Sequence, residues 1–108
     1  MRIANNYPLV VDQTMDADYT SPAFHCHQGW LISIQANWTG DPIGSLELLI
    51  SNDNIIYSVY TGSTTVVNGP GNFLWNCVAA GFNYVQVHYT FGSNTGTLNV
   101  SANYKGIV

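Results

Sequence analysis

Charge is what this chain has least of. Among 108 residues only Arg2 and Lys105 are basic and six are acidic, so 7% of positions are charged against roughly 25% in ordinary soluble domains. With both cations near the ends of the chain, no basic stripe exists to displace counterions from phosphates, and nucleic-acid binding has no driving force. The longest apolar stretches are of strand length, which excludes a transmembrane helix and gives no reason to expect membrane association. Met1 to Pro8 has neither a continuous apolar run nor a small-residue cleavage pattern and is expected not to be a secretory signal. The two cysteines, Cys26 and Cys77, are then expected as buried thiols of a protein made in a reducing cytoplasm, and not as a bridge. Also missing are a helical period in the apolar residues, paired acids, a nucleophile beside a base, a phosphate loop and a four-ligand metal spacing.

What is present reads as β-structure. Hydrophobic residues make up 46% and aromatics 13% of the chain, enough to offset the entropy of ordering one domain over residues 1–108. Gly44–Asn54 and Tyr84–Thr90 alternate apolar with polar residues at a period of two and are bounded by Gly, Asn, Asp and Ser, as half-buried antiparallel strands are. Strands are expected over 7–13, 29–38, 44–51, 55–60, 63–67, 72–77, 82–91 and 97–105, with a loop from Thr14 to Pro22. Thr39–Gly44 and Gly92–Gly96 read as hairpin connections, and Ser51–Asn54 as a turn whose side chains bond their own backbone. About eight strands at regular turn spacing imply an all-β antiparallel β-sandwich of jelly-roll type. Its core is expected to contain Trp30, Ile32, Ile34, Leu46, Leu48, Ile50, Val85, Val87, Tyr89, Leu98 and Val100.

Candidate sites are few. His25 and His27 flank Cys26 and point to one strand face, and His88 offers a third imidazole, so these three are the metal candidates. Two ligands do not make a site, and polar strand histidines around a core cysteine explain the pattern without any metal or cofactor. Asp12, Asp16, Asp18 and Asp53 sit in oxygen-rich loops that suit calcium, but Asx residues in turns ordinarily serve the backbone. Glu47 is the only glutamate and alternates with leucines on a strand, which leaves no second carboxylate for hydrolysis. No catalytic residue is therefore assigned, and no enzyme is expected. Among the aromatics, most are needed for the core, and Tyr57, Tyr60 and Tyr104 remain as rings for surface recognition of a host surface glycan.

Gly29–Gly40, Pro42–Asn54, Gly81–Thr90 and Gly96–Val100, taken in order, resemble small β-sandwich virion structural proteins of bacteriophages. In these a strand ending in Ser-Asn-Asp precedes a short strand and a late Tyr-Val-x-Val-x-Tyr-Thr strand. The arginine usual in that late strand is Gln86 here, and the aromatic after the Ser-Asn-Asp turn is Tyr57. The resemblance implies a head-decoration, fibre or tail-associated component of the virion, made in the host cytoplasm, that binds other virion proteins and forms a homo-oligomer. A carbohydrate-binding module is the alternative reading. A surface of Asn, Ser, Thr and Gly suits either role, because it hydrogen-bonds neutral partners without accumulating like charge.

Overall fold

The computed structural model describes residues 2–26, 31–78 and 82–107, with side chains for 6–26, 32–76 and 82–103. Ten strands follow in order: β1 (Arg2–Thr14), β2 (Tyr19–Thr20), β3 (Phe24–His25), β4 (Leu31–Gly40), β5 (Ile43–Ser51), β6 (Ser58–Val59), β7 (Thr65–Asn68), β8 (Gly71–Val78), β9 (Tyr84–Ser93) and β10 (Gly96–Ile107). They form two antiparallel sheets. One has the order β1-β10-β4-β8, and the other places β9 and β5 at its centre, with β2 and β3 on the outer side of β9 and β6 and β7 on the outer side of β5. Counting β2 with β3 and β6 with β7 leaves four positions per sheet of an antiparallel β-sandwich.

Every expected strand has a counterpart, but two expected hairpins do not form. β4 and β5 lie in different sheets, as do β9 and β10, so Thr39–Gly44 and Gly92–Gly96 are arches from one sheet to the other. Within them Gly40 takes φ 86° and Asn94 φ 61°, left-handed conformations that bulky L residues avoid. The connections gather at one end of the sandwich and bind one another. Asp41 N–H donates to Thr95 O (3.1 Å), Gly69 N–H to Pro42 O (3.0 Å) and Met15 N–H to Gly96 O (2.8 Å). A Cβ on Gly96 would lie 2.2 Å from Thr39 O, so the two arches touch backbone to backbone.

Thr14 to Pro22, expected as loop, also contributes β2, because Tyr19 and Thr20 pair with Tyr89 and His88. Between β2 and β3 the buried Ser21 continues the ladder: its N–H donates to Val87 O and its Oγ accepts from Val87 N–H at 2.9 Å. Ser63 does the same on the opposite side, accepting from Leu48 N–H at 3.0 Å. Each outer strand is thus split where a serine substitutes for pairing backbone, which raises the strand count above eight and gives the Val87 and Leu48 N–H groups their acceptors.

Alternation then builds the core. Ile32, Ile34, Ala36 and Trp38 of β4 face Leu46 and Leu48 of β5 and Val85, Val87 and Tyr89 of β9, all buried, together with Leu98, Val100 and Ala102 of β10. Ile50 packs against this cluster from the margin. Trp30 lies outside the described residues. Leu9, Val10, Met15, Phe24, Val67 and Trp75 complete the layer. The indole N–H groups of Trp38 and Trp75 donate to Gly69 O and Ser63 O, each at 2.7 Å, so both rings stay inside without stranding a polar atom.

Ile34 and Leu48 are fully buried at the centre of the layer. Ile34→Ala or Leu48→Ala is expected to cost about 2–5 kcal/mol, read from the urea midpoint. Gly44→Ala is expected to destabilise comparably although it removes nothing, because the added Cβ would sit 2.2 Å from Thr90 O and 2.9 Å from the Tyr89 hydroxyl.

Candidate functional site

The end of the sandwich opposite the arches carries the loop from Ser51 to Tyr57. β5 is a central strand, and its last residue, Ser51, is buried. From there Ser51 Oγ accepts the N–H of Asp53 (3.2 Å) and of Asn54 (3.0 Å) and donates to Asp53 Oδ1 (2.9 Å). The same Asp53 oxygen accepts from Ile55 N–H at 2.9 Å and Ile56 N–H at 3.0 Å. Asn54 adopts φ 62° and accepts the Tyr57 hydroxyl hydrogen bond. Asn83, at the start of β9, fastens the loop from outside: its N–H donates to Ser51 O (3.0 Å) and its side-chain amide to Asn52 O (3.0 Å). This is the self-bonding turn that Ser51-Asn-Asp-Asn predicts.

The turn holds an apolar pair in water. Ile55 is 80% and Ile56 72% exposed. Beside them an open cavity of about 320 Å³ is lined by Ile50, Ser51, Asn52, Asp53, Ile56, Ser58 and Phe82. Isolated exposed apolar residues are ordinary; here two stand together beside a cavity. Backbone N–H groups of Ile56 and Ile55, then the Ser51 hydroxyl, hold the Asp53 carboxyl below its ordinary value of 3.8. An oxygen so occupied stabilises the loop and is a poor proton acceptor. Sequence reasoning found the turn and missed the isoleucines, which it placed in a strand over 55–60; only Ser58 and Val59 pair with β5.

Of the three metal candidates, the two described ones, His25 and His88, stand apart. His25 pairs with Tyr84 across β3 and β9 and stacks on its ring at 4.7 Å. His88 Nδ1 is 2.8 Å from Thr20 Oγ1. Four residues along β9 separate the two positions by roughly 13 Å, and His27 lies outside the described residues. Among the described residues no three potential ligands converge. Asp18 serves the backbone, its Oδ1 accepting from Phe91 N–H at 2.8 Å, whereas at Asp12, at φ 51°, the backbone N–H donates to Asn99 Oδ1 at 2.9 Å. Cys26 is buried, with its Sγ 3.6 Å from Phe24 O; the side chain of Cys77 lies outside the described residues. Glu47 is directly opposite His88, but both stand on the open outer face of the sheet.

The three surface tyrosines are likewise dispersed. Tyr57 and Tyr60 are half-buried near β6, Tyr60 with its ring 5.7 Å from Phe82, whereas Tyr104 belongs to β10 in the other sheet, its side chain outside the described residues. Partial burial, with Tyr84 and Asp53 nearby, raises the Tyr57 phenol above its usual range.

The outer face of the β1-β10-β4-β8 sheet is different in kind. Register places Asn6, Asn103, Ser33 and Asn76 in one row, Pro8, Ser101, Gln35 and Leu74 in the next, and Asn99, Asn37 and Asn72 in a third. None of these residues is ionisable, and all but Pro8 and Leu74 carry a side-chain amide or hydroxyl.

No protein-family model matches the sequence, and no curated protein matches it. Solved structures do share the fold. The SPBc2 prophage-derived protein YomS superimposes with a TM-score of 0.71 at 10% identity, over 98% of this chain and 96% of that one. A subunit of the disulfide-linked pili of Bacillus endospore appendages gives 0.56 at 15% identity, over 98% and 89%. In the bacteriophage CBA120 tailspike protein 4 the match, 0.54 at 9% identity, takes 99% of this chain but 19% of the larger one.

Because the lowered Asp53 value stabilises the fold at pH above the ordinary carboxylate value and is lost as pH falls through the folded one, Asp53→Ala is expected to lower the unfolding midpoint at neutral pH. The gap from the unsubstituted protein should narrow below pH 3.8, as thermal unfolding at stepped pH would show.

Proposed function

We propose that this chain is a structural component of a bacteriophage particle, placed as a capsid decoration, fibre or tail-associated protein, that acts by binding other virion proteins and catalyses nothing. The observation that carries this reading is the Ile55–Ile56 pair, held out by a hydrogen-bonded turn beside an open cavity. A side chain fixed in water before binding loses little entropy when a partner covers it. The likeness in fold to a prophage-derived protein over nearly the whole of both chains supports the phage assignment. The rows of uncharged amides and hydroxyls on the outer face of the four-stranded sheet support an assembly role, since copies packed at high density meet no like charge along those rows.

Recognition of a host glycan has less behind it. Tyr57 has its hydroxyl bound to Asn54 and Tyr60 packs on Phe82, so two of the three rings that would stack on a sugar are engaged within the chain.

Antibody raised against the chain is expected to label purified particles in electron micrographs. Ile55→Asp combined with Ile56→Asp should change stability by no more than about 0.5 kcal/mol per site, as exposed positions do, yet remove the protein from particles. Protein recovered only in the particle-free fraction would contradict the proposal.

A further inference from the structure

Four edges bound the two sheets, and three of them carry devices that prevent pairing with another chain. β1 contains Pro8, two register shifts and Asp12 at positive φ. β2 and β3 have two residues each and are separated by Ser21 and Pro22. β6 and β7 have two and four residues and are separated by a turn at Gly62. Short strands, prolines and bulges are the usual means of blunting an edge.

β8 has none of them. It runs unbroken from Gly71 to Val78, contains no proline and no charged residue, and keeps continuous register with β4 from Leu31↔Val78 to Trp38↔Gly71. Among the described residues it pairs with β4 alone, so alternate peptide groups along its other side face outward. Leu74 is 51% exposed on its outer face.

We propose that β8 pairs with the β8 of a second copy of this chain, antiparallel, about a two-fold axis through Leu74. The occupant follows from the sequence of the edge. Asn72-Phe-Leu-Trp-Asn76 reads amide, aromatic, aliphatic, aromatic, amide in both directions. Centred on Leu74, antiparallel pairing sets Leu74 against its own copy, Phe73 against the second copy's Trp75, and Asn72 against the second copy's Asn76. Each pair matches in chemistry and in face: Asn72, Leu74 and Asn76 share the outer face, Phe73 and Trp75 the inner one. Phe73 already packs edge-on against Trp75 at 5.1 Å, and its exposed flank would meet an indole. A two-fold contact requires such self-complementarity, whereas an unrelated strand requires none of it. The joined sheets form one eight-stranded sheet whose outer rows of amides run on across the joint.

This pairing deepens the assembly reading given above and is tested separately from it. Light scattering on the full chain at millimolar concentration is expected to give twice 11.8 kDa. Leu74→Lys and Leu74→Glu each set like charges directly opposite across the axis and should be monomeric, with strand-type circular dichroism unchanged. Mixing the two variants in equal amounts should restore the dimer. Val66→Lys, at a position 76% exposed on the other sheet, should leave it intact. A monomeric unsubstituted protein, a dimer that survives Leu74→Lys, variants that stay apart when mixed, or an open polymer would each overturn the pairing. A monomer that still labels particles ends the edge pairing and leaves the assembly reading standing; a dimer absent from particles does the reverse.

Discussion

The apolar layer between the two sheets is the constraint on which the molecule depends. Ile32, Ile34, Leu46, Leu48, Val85, Val87, Tyr89 and Leu98 are all but inaccessible to water, and each comes from a strand whose immediate successor or predecessor in the chain lies in the opposite sheet. β4 and β5, β7 and β8, and β9 and β10 are divided in this way. No pair of them can close as a local hairpin, so the layer forms only when both sheets meet. Such non-local pairing makes folding slow and cooperative. The arches at one end, bonded to one another through Met15, Asp41, Gly69 and Gly96, convert that closure into a fixed geometry.

Polar side chains finish what the apolar layer begins. Ser21 and Ser63 supply ladder bonds where the outer strands break. Ser51 ends a central strand and starts the turn that carries Ile55 and Ile56. The turn therefore inherits its rigidity from the core through one buried hydroxyl and one carboxylate. With so few charges, the surface cannot attract partners from a distance. Contact has to come from shape, apolar knobs and backbone edges, which is how a protein repeated in a particle would be expected to bind.

Much of this was legible in the sequence because a period of two assigns faces without knowledge of topology. The β4 stripe of Ile32, Ile34, Ala36 and Trp38, the β5 and β9 core residues and the self-bonding Ser51–Asn54 turn follow from pattern alone. Topology did not follow, since Thr39–Gly44 and Gly92–Gly96 contain the same Gly, Asn and Asp in an arch as in a hairpin. Positive φ at Gly40 and Asn94 serves a tight hairpin equally well, so what separates the two is the packing of one arch on the other. Met15 escaped notice for a related reason: its burial depends on which segments cross the ends of the layer. The functional surface was the least legible. Ile55 and Ile56 look like strand residues until Asp53 is seen to capture both their N–H groups, while His25 and His88 stand apart along one sheet and Tyr104 lies in the sheet opposite Tyr57 and Tyr60.

Amide hydrogen exchange followed residue by residue tests the central claim most directly, namely that the turn and the apolar layer are one rigid unit. The account predicts that the N–H groups of Asp53, Asn54, Ile55 and Ile56 exchange far more slowly than in an unstructured peptide, and that those of β4, β5, β9 and β10 exchange only through global unfolding. Free-peptide rates at these four turn amides would contradict it, because the exposed isoleucines would then be mobile and not held ready for a partner.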